Sequence, residues 1–358
     1  VEYGAQTLLG VLARVPQLRP EDIGDVIMGC AMPFGVQGGN MARLIVQRAG
    51  LPDCVTAQTV NRYCSSGLQT IATAANAIRC GEEDVVIAGG VESMSLVPML
   101  VGAEDADPWL AEHRPEVYTT MGITAENVAR QWGISRADMD AMAVESHRRA
   151  AQAQAGGCFD GQIIPITVPG PDGGEVVVCR DEGIRPGTTA ETLAGLKPCF
   201  LENGSVTAAT SSQMTDGAGF VVLMSEEKAA ELGVKPLARF VSFATGGVPA
   251  EVMGVGPIEA VPKALRKAGL TLEQMDTIEL NEAFASQALA VIRTLGMDPA
   301  RVNPWGGAMA LGHPLGATGG RILTTLVHGM KRTRTRYGIA TLCMGGGQGG
   351  ATLLELAD

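Results

Sequence analysis

Membrane spans, paired cysteines, abundant histidine and positive net charge are all missing from this 358-residue chain. No apolar run reaches the roughly 18 to 20 residues that cross a bilayer. The eight cysteines form no C-x-x-C pair and there are four histidines, which predicts reduced thiols and no metal centre. A net charge of −11 disfavours nucleic acid and anionic membrane surfaces as partners. These absences predict a soluble, cytoplasmic protein.

The length of the chain predicts more than one hydrophobic core. Single cores rarely grow beyond about 250 to 300 residues, and this chain is longer. Strands and helices alternate through much of the sequence, which is typical of sheets covered by helices on both faces. We therefore expect an α/β protein with two domains or a duplicated unit.

The segment VNRYCSSGLQ, residues 60 to 69, places Cys64 between a short strand and a helix. The helix is predicted from an i, i+3, i+4, i+7 stripe that ends before Gly81. Its apolar members are Leu68, Ile71, Ala72, Ala75 and Ile78. The helix N-terminus favours an anion, so we expect the Cys64 thiol to ionise more readily than usual and to act as a nucleophile. The alternative is a buried and inert cysteine.

The remaining chain divides into three predicted parts. Residues 1–95, completed by 213–235, form the first unit, with strands near 23–29, 84–90 and 220–224. Residues 96–212 form an insertion with one helix opening at Thr124 and another at Ser135. Residues 236–358 form the second unit.

The second unit repeats the first. LRPEDIGDVIMG at 18–29 matches LTLEQMDTIELN at 270–281, Val-Asn recurs at 60 and 302, and DVVIAGG at 84–90 matches YGIATLCMGG at 337–346. The helix at 257–268 follows an apolar strand at 238–244, whereas the matching first helix begins almost at Val1. From this repeat we expect roughly 20 to 40 upstream residues that contain the central strand of the first sheet.

Three later motifs place polar reactive groups among small residues. NEAFASQA begins at Asn281, GGAMALGHPLGATGG holds His313, and TLCMGGGQGG holds Cys343. The last lacks the Lys-Ser/Thr of a phosphate-binding P-loop. Together with the Cys64 segment, these motifs resemble those of the thiolases in type and order over the whole chain. The resemblance implies five αβαβα layers made of two similar halves, with an inserted loop domain that binds coenzyme A (CoA).

The resemblance also implies a role for each reactive residue. Cys64 carries the acyl group, His313 activates it and hydrogen-bonds a thioester oxygen, and Cys343 is the acid and base. Asn281 holds a water in the oxyanion site that includes His313, while the N–H groups of Cys64 and Gly345 form a second one. Glu282, beside Asn281, is interpreted as structural, and His113, His147 and His328 as surface or helix-face residues.

Seven substrate contacts are implied at matching positions. Arg185 and Ser212 fall where thiolases contact the nucleotide and pantetheine parts of CoA. The positions that match the pantetheine or acyl lining are Met121, Phe200, Ala208, Met253 and Phe284. Thr120 replaces the histidine that thiolases carry there, and Ala209-Thr210 replaces their Gly-Asn, which changes local contacts with CoA and leaves the reactive residues intact.

The predicted function is thiolytic cleavage of 3-ketoacyl-CoA by CoA, as in fatty acid β-oxidation, through a Cys64 acyl-enzyme. CoA and acyl-CoA are substrates, no cofactor is expected, and the resemblance implies a homodimer or homotetramer. The first alternative is a biosynthetic acetoacetyl-CoA thiolase. Two others are a condensing synthase that acts on carrier-protein thioesters, which Cys343 disfavours because such enzymes usually carry a second histidine there, and an inactive lipid- or acyl-CoA-binding relative.

Overall fold

The computed structural model describes residues 1–99 and 105–357. The first part contains α1 (Glu2–Leu12), β1 (Asp25–Gly29), α2 (Met41–Arg48), β2 (Thr56–Val60), α3 (Ser66–Cys80) and β3 (Val85–Ser93). The middle part contains α4 (Pro108–His113), α5 (Met121–Gln131), α6 (Arg136–Ala155), β4 (Ile166–Pro169), β5 (Glu175–Val178) and α7 (Ala190–Ala194). Next come β6 (Asp216–Met224), α8 (Glu226–Leu232), β7 (Ala238–Gly247), α9 (Gly256–Ala268), β8 (Thr277–Leu280), α10 (Ala285–Leu295), α11 (Ala308–Leu311), α12 (Thr318–Thr333), β9 (Tyr337–Met344) and β10 (Gln348–Leu356).

Two four-stranded sheets form the frame, in the orders β2-β1-β3-β6 and β7-β10-β9-β8. Helices α3 and α12 share one apolar cluster with strands of both sheets and so lie between them. Helices α1 and α2 cover the outer face of the first sheet, and α9 and α10 cover that of the second. The layers therefore run αβαβα, which confirms the predicted fold class.

The two sheets have matching connections, as the repeat predicted. Strand β3 runs parallel to β1 and antiparallel to β6, and β9 likewise runs parallel to β8 and antiparallel to β10. Val302, the counterpart of Val60, forms an isolated bridge with Ile278. The matching strand pair of the first sheet is β1 and β2. The domain boundaries given above stay a prediction.

Close contact between α3 and α12 depends on glycine. A Cβ atom on Gly67 would lie 2.8 Å from the carbonyl oxygen of Gly316, and one on Gly319 would lie 2.1 Å from the backbone nitrogen of Leu68. These positions leave no room for a side chain because backbone meets backbone there. The starts of the two central helices therefore touch directly, which brings the loops before them into one place.

Three expectations about elements were wrong or incomplete. Helix α5 begins at Met121, and Thr124 lies inside it with its hydroxyl on the Met121 carbonyl. The polar stretch 156–190 contains the β4–β5 hairpin, which its glycine and proline content concealed. Strand β7 lies at the edge of the second sheet, beside β10. The strand expected ahead of α1, which is its counterpart in the repeat, would therefore belong at an edge of the first sheet and not at its centre. The predicted cap at Ser135 is confirmed by a capping box with Asp138.

Within residues 1–99 and 105–357, no helix is long and apolar enough to cross a membrane. Strand β2 forms one edge of the first sheet. An edge strand with free backbone groups can pair with another chain. The predicted homodimer or homotetramer stays a prediction.

Candidate active site

The five reactive residues expected from the motifs lie on loops and strand ends around the two central helices. Asn281 follows β8, and its Nδ2 lies 3.3 Å from His313 Nε2. The Asn281 backbone N–H donates to the Thr341 carbonyl on β9, two residues before Cys343. The structure therefore joins the motifs of the second half through β8 and β9.

Cys64 joins this group across the boundary between the halves. The backbone N–H groups of Gly345 and of Cys64 itself lower the pKa of the Cys64 thiol, and Cys64 raises the pKa of Cys343, so these groups lie close together. Tyr63 lies against Gly345, since a Cβ there would be 3.4 Å from its ring. The predicted nucleophile thus comes from the first half, and Gly345 and Cys343 beside it come from the second.

A strained turn presents Cys64 to the site. Tyr63, directly before it, has a φ of 47°, which is uncommon for a residue with a side chain. The Asn61 Oδ1 accepts the Tyr63 N–H at 2.8 Å, and the Ser66 hydroxyl donates to the Tyr63 carbonyl at 2.6 Å. Cys64 lies just before Ser65, the N-cap of α3, so the motif residues on both sides hold the turn.

The expectation that Cys64 ionises readily was wrong. Burial raises the pKa of its thiol to about 12, although the Gly345 N–H acts in the opposite direction and lowers it. The helix N-terminus does not offset this rise in pKa, because the free energy lost when a thiolate is removed from water exceeds the stabilisation by a few backbone dipoles. Cys64 is therefore a neutral thiol at rest, and its predicted role as a nucleophile would require a base.

His313 is the residue that the motifs predict to be that base. Its Nδ1 lies 2.6 Å from the Thr318 hydroxyl, which itself donates to the Pro314 carbonyl at 2.9 Å. The Thr318 oxygen therefore accepts the Nδ1–H, and this network assigns the lone pair to Nε2, where Asn281 Nδ2 donates. Burial, and then the positive charge of Arg321, lower the pKa of His313 to about 3. The ring is neutral at rest with Nε2 as its acceptor.

Asn281 and Glu282 have different surroundings. Asn281 is buried, and its Oδ1 has no hydrogen-bond partner within the described part of the chain, so it can accept from a water or a substrate. Glu282 accepts from the Ser146 hydroxyl at 2.7 Å and from Asn303 Nδ2 at 2.9 Å. Its carboxylate ties α6 to the loop after Val302, which supports the structural role expected for it.

Cys343 lies on β9 and is fully buried. Burial, and then the proximity of Cys64, raise the pKa of its thiol well above the usual range. Two thiols that each oppose ionisation of the other will not both lose a proton. Cys343 is therefore a neutral thiol at rest, as its predicted role of acid requires.

The apolar residues matched to the acyl lining lie together. Met253, Phe284 and Met121 belong to the apolar cluster that contains Cys343. Phe200 meets Phe284 edge to face, with the ring centroids 6.0 Å apart. An apolar wall thus adjoins the Cys343 thiol, as expected of a site that binds an apolar ligand.

The residues matched to polar parts of CoA lie farther out. Arg185 is exposed and Ser212 is half-buried. Ala208, which was matched to the pantetheine or acyl lining, is also exposed. The Ser212 N–H donates to the Ala283 carbonyl at 2.9 Å, next to the Asn281 motif. This arrangement leaves the outer residues accessible while the reactive ones are buried.

His147 was wrongly interpreted as a surface or helix-face residue. It is 5% exposed, and its Nδ1 accepts the backbone N–H of Arg185 at 3.1 Å. Burial, and then Arg185, lower the pKa of its ring. The spacing with Met139, Ala143 and Ala150, all buried on α6, could have revealed that His147 faces inward.

Comparisons with known proteins agree with these motifs. A family model described as "Thiolase, N-terminal domain" matches residues 1–227, and one described as "Thiolase, C-terminal domain" matches residues 234–356. The chain is 54% identical over 343 residues to a 3-ketoacyl-CoA thiolase of Bacillus subtilis, covering 94% of this chain and 88% of the relative. It is 45% identical over 366 residues to an acetyl-CoA acetyltransferase of Cupriavidus necator, covering 99% and 93% of the two chains. A crystal structure of the Bacillus anthracis acetyl-CoA acetyltransferase superposes with a TM-score of 0.91 at 42% identity, covering 99% of this chain and 93% of that one.

Proposed function

Since this chain belongs to the thiolase family and is an acyltransferase, we propose that it cleaves 3-ketoacyl-CoA with CoA, giving acetyl-CoA and a shortened acyl-CoA. One observation carries the proposed mechanism. A buried thiol, Cys64, lies close to the backbone N–H of Gly345, which lowers its pKa, and close to a second buried thiol, Cys343, whose pKa it raises. A nucleophile, a hydrogen-bond donor for an oxyanion and a proton donor are the three groups that cleavage of a carbon–carbon bond next to a carbonyl requires.

In the first step the Cys64 sulfur adds to the ketone carbon C3 of the substrate. The thiol proton passes to His313 Nε2, which holds a lone pair because Thr318 accepts the Nδ1–H. The ketone oxygen becomes an alkoxide, which the N–H groups of Cys64 and Gly345 stabilise. The high pKa of Cys64 makes the proton transfer simultaneous with attack.

In the second step the alkoxide collapses and the bond between C2 and C3 breaks. The acyl group stays on Cys64, and the electron pair passes to C2 as the enolate of acetyl-CoA. The Nε2–H of His313 and a water on Asn281 stabilise the enolate oxygen, while Cys343 donates its proton to C2. Acetyl-CoA leaves, and the site then holds protonated His313 and the Cys343 thiolate.

The acyl-enzyme is released by a second CoA. Its thiol gives a proton to the Cys343 thiolate, and the sulfur adds to the acyl carbon on Cys64. The carbon–sulfur bond to Cys64 breaks, and the departing Cys64 thiolate takes the proton back from His313. All three groups return to their starting states, and the reverse sequence is a Claisen condensation.

Of the thiolase subtypes, we propose a degradative enzyme that acts on acyl chains of several lengths. A biosynthetic acetoacetyl-CoA thiolase is the second candidate. The apolar wall of Met121, Met253 and Phe284 beside Cys343 favours the first, because it offers contacts to an acyl chain longer than acetyl. The similarity to the Bacillus subtilis 3-ketoacyl-CoA thiolase supports this choice. The Cupriavidus necator relative supports the second candidate.

CoA-dependent cleavage of 3-ketoacyl-CoA substrates from about four to about sixteen carbons tests both candidates. The enolate absorbance of each substrate reports its loss. We expect kcat/KM to rise beyond four carbons, because each buried methylene adds about 0.8 kcal/mol of binding. Cleavage confined to the shortest substrate would favour the biosynthetic candidate, and no cleavage of any substrate would favour an inactive binding protein.

The tautomer of His313 provides a separate prediction. In Thr318→Val the acceptor for Nδ1–H is lost at nearly constant volume, so the proton can move to Nε2 and block the base. We expect kcat/KM to fall roughly 10- to 100-fold, as for a misprotonated general base. Thr318→Ser keeps the acceptor oxygen and should stay within about threefold of the parent. Nitrogen-15 shifts of the ring report the tautomer, and an unchanged tautomer in the valine variant would contradict the assignment.

A further inference from the structure

Glu92 is a buried carboxylate that the steps above do not use. It lies near the end of β3 and is 0% exposed. None of the salt bridges in the described part of the chain includes Glu92. Burying a charge without a cation is costly unless many hydrogen bonds compensate. The burial of this carboxylate therefore indicates that the hydrogen bonds it accepts have a function.

The donors to Glu92 come from both halves of the protein. Oε2 accepts the backbone N–H of Ala31 at 2.7 Å and that of Gly316 at 2.8 Å. Oε1 accepts the Met32 N–H at 3.3 Å, Gln37 Nε2 at 2.8 Å and the Cys30 thiol at 3.7 Å. One carboxylate oxygen thus links the loop after β1 in the first half to the turn before α12 in the second.

The first of these bonds leads to Cys64. The carbonyl of Ala31, whose N–H is bound by Glu92, accepts from Asn61 Nδ2 at 3.1 Å. The Oδ1 of the same Asn61 accepts the Tyr63 N–H, directly before the nucleophile. Two side chains, Glu92 and Asn61, thereby connect the end of β3 to the turn that presents Cys64.

The second bond leads to His313. Gly316 lies in the turn where the Ala317 and Thr318 N–H groups both donate to the Pro314 carbonyl, at 2.9 and 2.8 Å. Thr318 then holds the ring of His313 through Nδ1. Gly316 has no room for a side chain, because a Cβ there would lie 2.8 Å from the Cys30 Cα and 2.9 Å from Glu92 Oε2.

We propose that Glu92 is a positioning residue that fixes the Cys64 turn relative to the His313 turn across the boundary between the halves. This inference rests on the proposed function, because it assigns Cys64 and His313 their roles. A carboxylate suits the task, since each oxygen accepts two donors and charged acceptors bind N–H groups more strongly than neutral ones. Its negative charge also acts, after burial, to raise the pKa of Cys64, which keeps the thiol protonated until the base is in place.

Glu92→Gln tests the inference, because it keeps the length of the side chain and places an NH₂ group against N–H donors. We expect the rate at which acetyl-CoA acetylates Cys64, followed by mass spectrometry, to fall about 10- to 100-fold, as for loss of a hydrogen bond to a charged group. The affinity for CoA, measured by calorimetry, should stay within about twofold, since the CoA residues lie on other loops. This separation of rate from affinity is not expected of a general loss of stability.

Two further variants make the test decisive. Asp276→Asn removes another carboxylate that accepts two backbone N–H groups, those of Arg336 and Tyr337, away from the site, and should leave acetylation unchanged. Glu92→Asp keeps the charge but is one methylene shorter, so it cannot reach both turns and should also slow acetylation at least about tenfold. If Glu92→Gln does not fold, Glu92→Asp still tests the inference.

The outcomes separate this inference from the proposed function. Wild-type protein that is not acetylated at Cys64 contradicts the proposed function itself. Wild-type protein that is acetylated, with Glu92→Gln and Glu92→Asp at the same rate, overturns the role of Glu92 alone. Slower acetylation with equally weakened CoA binding would also overturn it, because the effect would then be general.

Discussion

Replacing Cys64 by alanine should lower the rate of 3-ketoacyl-CoA cleavage by at least about 10⁴-fold, as expected when a covalent nucleophile is removed. The physical reason is that the N–H groups of Cys64 and Gly345 converge on this sulfur. The variant should fold, because a buried thiol behaves as a small apolar group and its loss leaves a modest cavity.

Acetylation of the wild-type protein supplies the positive result. Incubation with acetyl-CoA, digestion and mass spectrometry should find one acetyl group on the peptide that contains Cys64. Cys80→Ala is the matched control, because Cys80 is exposed at the far end of α3, and it should keep full activity. An acetyl group found on Cys343 in place of Cys64 would show that the two roles are reversed.

Cys343→Ser is the second change with a large expected effect. Serine keeps the shape of the side chain, but its hydroxyl is a much weaker acid than a thiol, so it cannot protonate the enolate or remove a proton from the acetyl methyl. We expect cleavage and condensation to fall roughly 10²- to 10⁴-fold, the usual contribution of a general acid or base.

Acetylation of Cys64 should survive in the same variant. The group that leaves in that half-reaction is the thiolate of CoA, whose thiol has an ordinary pKa of about 8.5 and departs without a proton donor. The acetyl methyl is a far weaker acid than the CoA thiol, so proton transfer to or from its carbon needs Cys343. A trapped acetyl-enzyme in Cys343→Ser is therefore the diagnostic result, measured by intact mass. Loss of both half-reactions would mean that Cys343 does not act on the proton alone.

Much of the fold was predictable from patterns along the chain. The apolar stripe that starts at Leu68 and the glycine at 81 predicted α3, which spans Ser66–Cys80 and ends at a left-handed Gly81. The repeat predicted two sheets with equal connections, because similar sequences of strands and helices bury similar apolar faces. Helix α5 was misplaced because Thr124 resembles a cap, whereas Thr120 occupies the N-cap position without a side-chain cap bond.

The sequence by itself determined the reactive residue types, their order and the family, because motifs of cysteine, histidine and asparagine among glycines are local features. Only the tertiary structure decided their electrostatic states. Helix position alone favoured a Cys64 thiolate, yet burial raises its pKa to about 12, and burial is a property of the packed halves. The five donors around the Glu92 carboxylate were likewise invisible, because they lie up to 224 residues away along the chain. Distances between such remote residues are set by the contact of the two halves, and no local pattern encodes them.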